Sequence, residues 1–166
     1  GRPIDLVINN AGVLGDMEAQ ALGSLDADQF DEVMAVNVYG PLAVSEAFRE
    51  HVAASRHKKI VSITSGSGIL SRPNVRGPYF YNASKAALNM VMRILATELR
   101  ASGVIVGIVA PGVADTDMRR QVVGAEQASR EPSPADAVAA MIRVIDGLTL
   151  EKSGQPLNVD GTPLPW

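Results

Sequence analysis

Tyr81-Asn82-Ala83-Ser84-Lys85 opens the run Ala86 to Leu99, in which Leu88, Val91, Met92, Leu95 and Leu99 recur at i, i+3 and i+4. That recurrence marks one buried helix face. The run meets no Gly or Pro until Gly103, a natural stop. On such a helix Tyr81 and Lys85, at i and i+4, stand one above the other on the same side. An ammonium beside a phenol favours phenolate, and so draws a pKa of ~10 toward the range of a proton-transfer group. A hydroxyl acid or base of that kind suits interconversion of a carbonyl and an alcohol. An ordinary half-exposed Tyr–Lys pair is the competing reading, and the surrounding chain decides between the two.

Upstream, Ile60-Val61-Ser62-Ile63-Thr64 is β-branched and apolar and reads as a buried strand running into Ser65-Gly66-Ser67-Gly68. A loop from Ile69 to Tyr79 carries Pro73, Gly77 and Pro78. Near the start, Ile4-Asp5-Leu6-Val7-Ile8 reads as another strand, ending in Asn9-Asn10-Ala11-Gly12, where small residues let the backbone pass close to something. Residues 13 to 25 lack periodicity and read as loop. Asp26-x-x-Gln29 resembles a capping box, followed at helical spacing by Phe30, Val33, Met34 and Val38. The pattern continues through Leu42, Val44, Ala47, Phe48 and Val52, with a bend expected at Gly40-Pro41.

Downstream, Val104 to Val109 reads as a third strand ended by Pro111-Gly112, and Thr116-Asp117-Met118 opens a short helix. Gly124 to Glu131 is polar and reads as a mobile segment. Ser133-Pro134 caps a helix over Ala135 to Ile145, stopped by Gly147. Leu157-Asn158-Val159 is a short fourth strand before the tail Gly161 to Trp166. Strands alternating with helices long enough to cross over predict an α/β fold, a parallel sheet covered by helices, in a single domain over 1–166.

Composition narrows the partners. A chain of 166 residues, 46% apolar and 20% charged, is ordinary for one soluble domain with its own core. Its net charge of −3 offers no basic field for nucleic acid, and the one dense cluster, Arg56-His57-Lys58-Lys59, reads as a solvated loop. With no cysteine there is neither disulfide nor thiolate site, and His51 and His57 make no metal-ligand pattern, so no metal is expected. No apolar segment approaches the ~20 residues of a membrane span and no signal peptide opens the chain, so a cytoplasmic protein is expected.

In an open parallel sheet, ligands gather beyond the carboxyl ends of the strands. Asn9 to Gly12, Ser65, and Pro111-Gly112 all stand at such ends, and Tyr81 and Lys85 open the helix after the second strand. Each has a plainer reading: Asn-Gly loops turn, Ser65 could cap a bend, and Asn37 could satisfy backbone groups freed near Gly40-Pro41. Taken together, the segments resemble the short-chain dehydrogenase/reductase family over nearly the whole chain. Asn9-Asn10-Ala11-Gly12 is similar to the family's NNAG motif, and Asn37-Val38-Tyr39-Gly40 to NVxG. Ile63-Thr64-Ser65-Gly66-Ser67-Gly68 is similar to ISSxxG, and Tyr81-Asn82-Ala83-Ser84-Lys85 to YxASK. Pro111-Gly112-Val113-Ala114-Asp115-Thr116 resembles PGxxxT. The ending Asn158 to Trp166 resembles the C-factor-like branch.

The resemblance implies the C-terminal part of a Rossmann-type doubly wound sheet and an oxidoreductase using NAD or NADP on a carbonyl or alcohol substrate. It implies a catalytic set of Asn37, Ser65, Tyr81 and Lys85. In that set Tyr81 exchanges the proton, Lys85 lowers the Tyr81 pKa and meets the nicotinamide ribose, Ser65 holds the substrate oxygen, and Asn37 holds a relay water. Asn10, Ala11 and Gly12 would border the cofactor with Tyr81 and Lys85, and Pro111, Gly112, Ala114 and Thr116 would hold the nicotinamide carboxamide. Tyr79 has Ala83 rather than a lysine at i+4, so Tyr81 is the expected acid. Helices of this family pair between subunits, and the regions Phe30 to Val52 and Ala83 to Arg100 carry apolar residues on more than one face, so a homodimer or homotetramer is expected.

Two departures accompany the resemblance. The loop between Ser65 and Tyr81 is about three residues longer than the flanking motifs lead one to expect. The chain also begins at what would be the family's fourth strand, with no TGxxxGIG-like turn to bind pyrophosphate and no residue to choose between NAD and NADP. The Ile4 to Ile8 strand is therefore expected to present an unpaired edge, as part of a longer protein or with a partner covering it. Against the enzyme stand two alternatives: a non-catalytic interaction or signalling protein on the same scaffold, and an inactive fragment.

Overall fold

The computed structural model describes residues 1–73 and 76–165; Asn74 and Val75, inside the expected Ile69–Tyr79 loop, and Trp166, ending the tail, lie outside them. Four parallel strands lie side by side in chain order: β1 (Leu6–Asn9), β2 (Lys59–Ile63), β3 (Ile105–Val109) and β4 (Pro156–Leu157). Val7 stands beside Ile60 and Ile60 beside Val106. The β-branched runs form these strands because such side chains fit the pleated, buried surface. All four expected strands are present, each displaced by one or two residues at its start.

Side chains alternate across the sheet. Ile60, Val106 and Ile108 face one core with Val52, Leu88, Met92 and Leu95, supplied by helices α2 (Gly40–Ala53) and α3 (Tyr79–Leu99). Val61, Val109 and Leu157 face a second core with Ile145 and Leu148, at the end of helix α6 (Pro134–Asp146). Helices thus cover both sheet faces, as a doubly wound sheet requires. Each fully buried Ile, Val or Met contributes about 1.5–3 kcal/mol over leaving it in water. At the β1 edge the cover is one-sided: Val7 packs on the first core, while Leu6 and Ile8 remain 38% and 48% exposed.

Helix α1 (Ala27–Met34) begins as expected, with the Asp26 carboxylate accepting from the Asp28 and Gln29 amides. The reciprocal half of the expected capping box is absent, because the Gln29 side chain turns to the Asp16 amide and to Glu32 instead. The expected bend takes the form of a π-helical turn over Ala35–Tyr39, before Pro41 sits in the first turn of α2. The central helix starts at Tyr79, behind Pro78, and closes through the tight turn Arg100–Ser102 into Gly103.

The stretch Gly124 to Glu131, expected to be mobile, is instead built into the fold. Helix α4 (Asp117–Val123) leads into the single turn α5 (Ala125–Ala128), and Ala128 is fully buried. Arg119 holds Glu131 through two parallel hydrogen bonds of 2.6 and 2.9 Å, which closes the excursion on itself. The basic cluster is likewise committed: Lys59 donates to the carbonyls of Ile145 and Asp146 at the end of α6, and Lys58 to that of Ser102.

Candidate functional site

Asn9, the last residue of β1, is the pin of the sheet edge. Its buried amide donates toward the Pro41 carbonyl and the Ser45 and Ser62 hydroxyls, tying β1 to α2 and β2. The chain then leaves through Asn10 and Ala11, both exposed, to a half-buried Gly12. A Cβ at Gly12 would stand 3.3 Å from Asn37 Oδ1 and 3.5 Å from Lys85 Nζ. Glycine therefore keeps open the space in front of the Lys85 ammonium.

Asn37 lies fully buried in the π-helical turn. Its Oδ1 accepts from the Val13 amide at 2.8 Å, and its Nδ2 donates to the Val13 carbonyl at 2.8 Å and the Ser84 hydroxyl at 2.9 Å. One plain reading is corrected here. Asn37 serves the backbone of Val13 rather than groups freed near Gly40-Pro41. Both its amide protons are also spent on Val13 and Ser84, so only the oxygen has capacity left for a water.

Ser65 follows β2 in extended conformation, and its hydroxyl accepts from the Ser67 amide, capping the short turn Gly66–Gly68. The plain reading of Ser65 as a cap is thus correct, and it is incomplete: the same side chain lies near enough to Tyr81 to lower the pKa of its phenol. The turn it caps is pressed against α3 at Lys85, where a Cβ on Gly68 would lie 2.6 Å from the Lys85 carbonyl carbon.

Tyr81 is half-buried in the first turn of α3, and Lys85 is buried one turn on. Lys85 Nζ donates to the Ile63 carbonyl at 3.1 Å and stands 5.6 Å from the centroid of the Tyr81 ring. The expected lowering of the Tyr81 pKa by Lys85 is overturned. Burial pushes the phenol up, and Ser65 draws it only partly back. The ammonium lies over the ring face, and burial pushes Lys85 itself down to about 8.

Pro111 and Gly112 leave β3 on the same carboxyl edge, since β3 runs parallel to β2 and the Thr64 amide reaches the Val109 carbonyl. Ala114 is half-buried. Thr116 is exposed, and its hydroxyl accepts from the Arg119 amide to cap α4. The structure therefore gathers Gly12, Asn37, Ser65, Tyr81 and Lys85 into one linked cluster. It leaves Asn10, Ala11 and the Pro111–Thr116 segment on the same rim, with no side-chain hydrogen bond to that cluster among the described residues.

Sequence reasoning missed Ser84, which links Asn37 to the Tyr81 carbonyl. It also missed Asn89, which accepts from the Thr64 hydroxyl beneath the site, and Gln20, in a stretch read only as loop. A polar residue on the apolar face of a helix was the one signal available for Ser84 and Asn89.

A family model described as short chain dehydrogenase matches residues 2–127. The chain belongs to the short-chain dehydrogenase family. Within that family it is 38% identical over 164 residues to a protein of Myxococcus xanthus named C-signal, covering 99% of this chain and 93% of the relative. It is 36% identical over 166 residues to a 1-hydroxy-2-glutathionyl-2-methyl-3-butene dehydrogenase of Rhodococcus, and spans 70% of that protein. Among solved structures, the NADPH-bound carbonyl reductase from chicken fatty liver superimposes with a TM-score of 0.88 at 27% identity, over the whole of this chain and 67% of that one. The Rossmann-type parallel sheet expected from the motifs is the fold of this short-chain dehydrogenase. No helix of the described residues is long and apolar enough to cross a membrane.

Proposed function

We propose that this chain carries the proton-transfer centre of a nicotinamide-dependent oxidoreductase that interconverts a small carbonyl compound and its alcohol. One observation carries the reading: the Ser65 side chain lies near enough to the Tyr81 phenol to oppose the effect of burial on it, with the Lys85 ammonium over the Tyr81 ring and Gly12 leaving the front of that ammonium open. In the reducing direction Tyr81 donates its hydroxyl proton to the substrate oxygen as negative charge develops there. The Ser65 hydroxyl, already aimed at the same point, steadies that charge. Lys85 balances the phenolate left behind, and Asn37 holds the Val13 loop against Ser84 of α3.

The residues fit the nicotinamide end of NAD or NADP. The Lys85 ammonium has given one proton to the Ile63 carbonyl and faces the gap at Gly12, so it has donors left for ribose hydroxyls. Asn10, Ala11 and Gly12 would border the cofactor, and Pro111, Gly112, Ala114 and Thr116 would hold the carboxamide. When bound, the dinucleotide supplies the hydride. The NADPH in the chicken carbonyl reductase supports this reading. Exposed apolar pairs one turn apart, Val44 and Phe48 on α2 and Met90 and Ile94 on α3, support assembly into a dimer or tetramer, which sedimentation at micromolar concentration tests.

The likeness to C-signal favours a second reading, a signalling or interaction protein on the same scaffold. Titration of the purified chain with NADH and NADPH, followed by fluorescence, separates the two. Micromolar binding, with oxidation of the cofactor on adding ketones, supports the enzyme. No binding at millimolar cofactor removes activity from this chain and leaves the interaction protein or the inactive fragment.

A further inference from the structure

A helix begins with amide groups that have no partner within the helix. At the start of α3 the cap position is Pro78, which has no side chain able to accept from them. The first backbone bond of the helix runs from the Asn82 amide to the Pro78 carbonyl, which leaves the amides of Phe80 and Tyr81 to be met from elsewhere.

They are met by Gln20, a residue 2% exposed and 60 positions away along the chain. Its Oε1 accepts from the Phe80 amide at 3.0 Å and the Tyr81 amide at 3.3 Å. Its Nε2 donates to the carbonyls of Leu14 and Asp16, each at 3.0 Å. Both protons and both lone-pair directions of the carboxamide are used, so a flipped amide would set donors against donors and acceptors against acceptors. The surroundings leave it no slack: Gly15 lies against it, and Phe80 is wedged edge-on to Phe30, ring centroids 5.4 Å apart.

We infer that Gln20 is a positioning residue: it ties the loop after Gly12 to the backbone of Tyr81, and so sets where the Tyr81 hydroxyl meets Ser65. The inference rests on the function proposed for Tyr81. Gln20 acts from the N-terminal side of α3, while Asn37 holds the same loop to Ser84 one turn further in. Between them the loop and the catalytic turn have one relative placement. All four hydrogen bonds of Gln20 go to backbone atoms, so its influence on the Tyr81 hydroxyl runs through the backbone.

The test uses the 166-residue chain with Gln20→Met, which keeps length and loses all four bonds, and Gln20→Glu, which keeps the acceptor for both amides. Tyrosine ring-carbon NMR follows the ionisation of Tyr81, assigned with Tyr81→Phe against Tyr39 and Tyr79. Kinetics use NADPH and isatin as probes. In Gln20→Met the Tyr81 titration is expected to fall back from its raised position toward the ordinary tyrosine value of 10. The kcat is expected to fall about tenfold to a hundredfold while KM for NADPH changes less than about threefold, the pattern of a misplaced acid rather than a lost binding site. Gln20→Glu keeps the acceptor for the Phe80 and Tyr81 amides but sets a carboxylate oxygen against the Leu14 and Asp16 carbonyls, so its kcat is expected to fall, though less than that of Gln20→Met.

A folded Gln20→Met with unchanged Tyr81 titration and kcat overturns the inference. If Gln20→Met does not fold, Gln20→Glu decides, and a folded Gln20→Glu with unchanged kcat overturns it. A wild-type chain that neither binds NADPH nor reduces isatin would overturn the proposed function, and the NMR titration would still judge Gln20.

Discussion

Lys85 Nζ stands 5.6 Å from the centre of the Tyr81 ring and bonds the Ile63 carbonyl at the end of β2, so the ammonium is held by the sheet rather than by the phenol it serves. The i, i+4 spacing brings the two side chains together. The strand end selects which part of the ring the charge faces.

That placement has a consequence for stability. Burial holds Lys85 at about 8, while in the unfolded chain it returns to 10.5. Between those values the folded protein has released a proton that the unfolded chain still binds, so stability rises with pH through this window. The gain is on the order of 3 kcal/mol at most. Tyr81, raised by burial, works in the opposite direction, but only above its ordinary value of 10. Lys85→Met should therefore flatten the rise between pH 8 and 10, measured as urea midpoints across that range. An unchanged rise in the variant would remove Lys85 as its source.

Tyr81→Phe removes one hydroxyl and its interaction with Ser65 and leaves the ring where it is. Stability should change by no more than about 1 kcal/mol, the net worth of one hydrogen bond. Carbonyl reduction should fall by about a thousandfold or more as the proton donor is lost. A variant turning over at near the parent rate would take Tyr81 out of its proposed role.

Asn37→Ala strips the partners from the Val13 amide, the Val13 carbonyl and the Ser84 hydroxyl in a buried place. Each buried polar group left unsatisfied costs about 1–3 kcal/mol, so a total near 3–5 kcal/mol is expected after partial relaxation. Asn37→Asp keeps the acceptor for the Val13 amide and sets a carboxylate against the Val13 carbonyl, so it should fare little better. Thermal or urea unfolding measures both.

Gly68→Ala looks conservative in sequence. Its new methyl would meet the Lys85 carbonyl carbon at 2.6 Å and the Ala86 amide nitrogen at 2.8 Å, both backbone atoms of a packed helix. Neither can move without displacing Lys85. The expected cost is about 2–4 kcal/mol, with loss of carbonyl reduction even in the folded fraction. Gly23→Ala, where a Cβ meets nothing within 4 Å, serves as a control for handling; at φ +101 it should lose only the modest strain of that backbone and leave activity intact.

Much of this fold was legible in the chain because it rests on short-range pattern. Leu88, Met92 and Leu95 declare a helix face by spacing. The β-branched runs declare strands, and Ser133 and Thr116 declare helix starts by the bonds their hydroxyls make to amides three residues on. The polar segment Gly124 to Glu131 misled for the converse reason: what orders it, Arg119 against Glu131, joins side chains separated by a run with no apolar periodicity.

The sequence by itself determined the parallel α/β order, the pairing of Tyr81 with Lys85 on one helix face and the family motifs at the strand ends. Each follows from a repeat of two or 3.6 residues or from contiguous residues. Only the tertiary structure decided that the Tyr81 pKa is raised rather than lowered, that Asn37 holds Val13 and Ser84, that Gly68 is pressed on Lys85, and that Gln20 caps the first turn of α3. These depend on which distant backbone atoms burial brings within hydrogen-bond reach, and no local spacing encodes that.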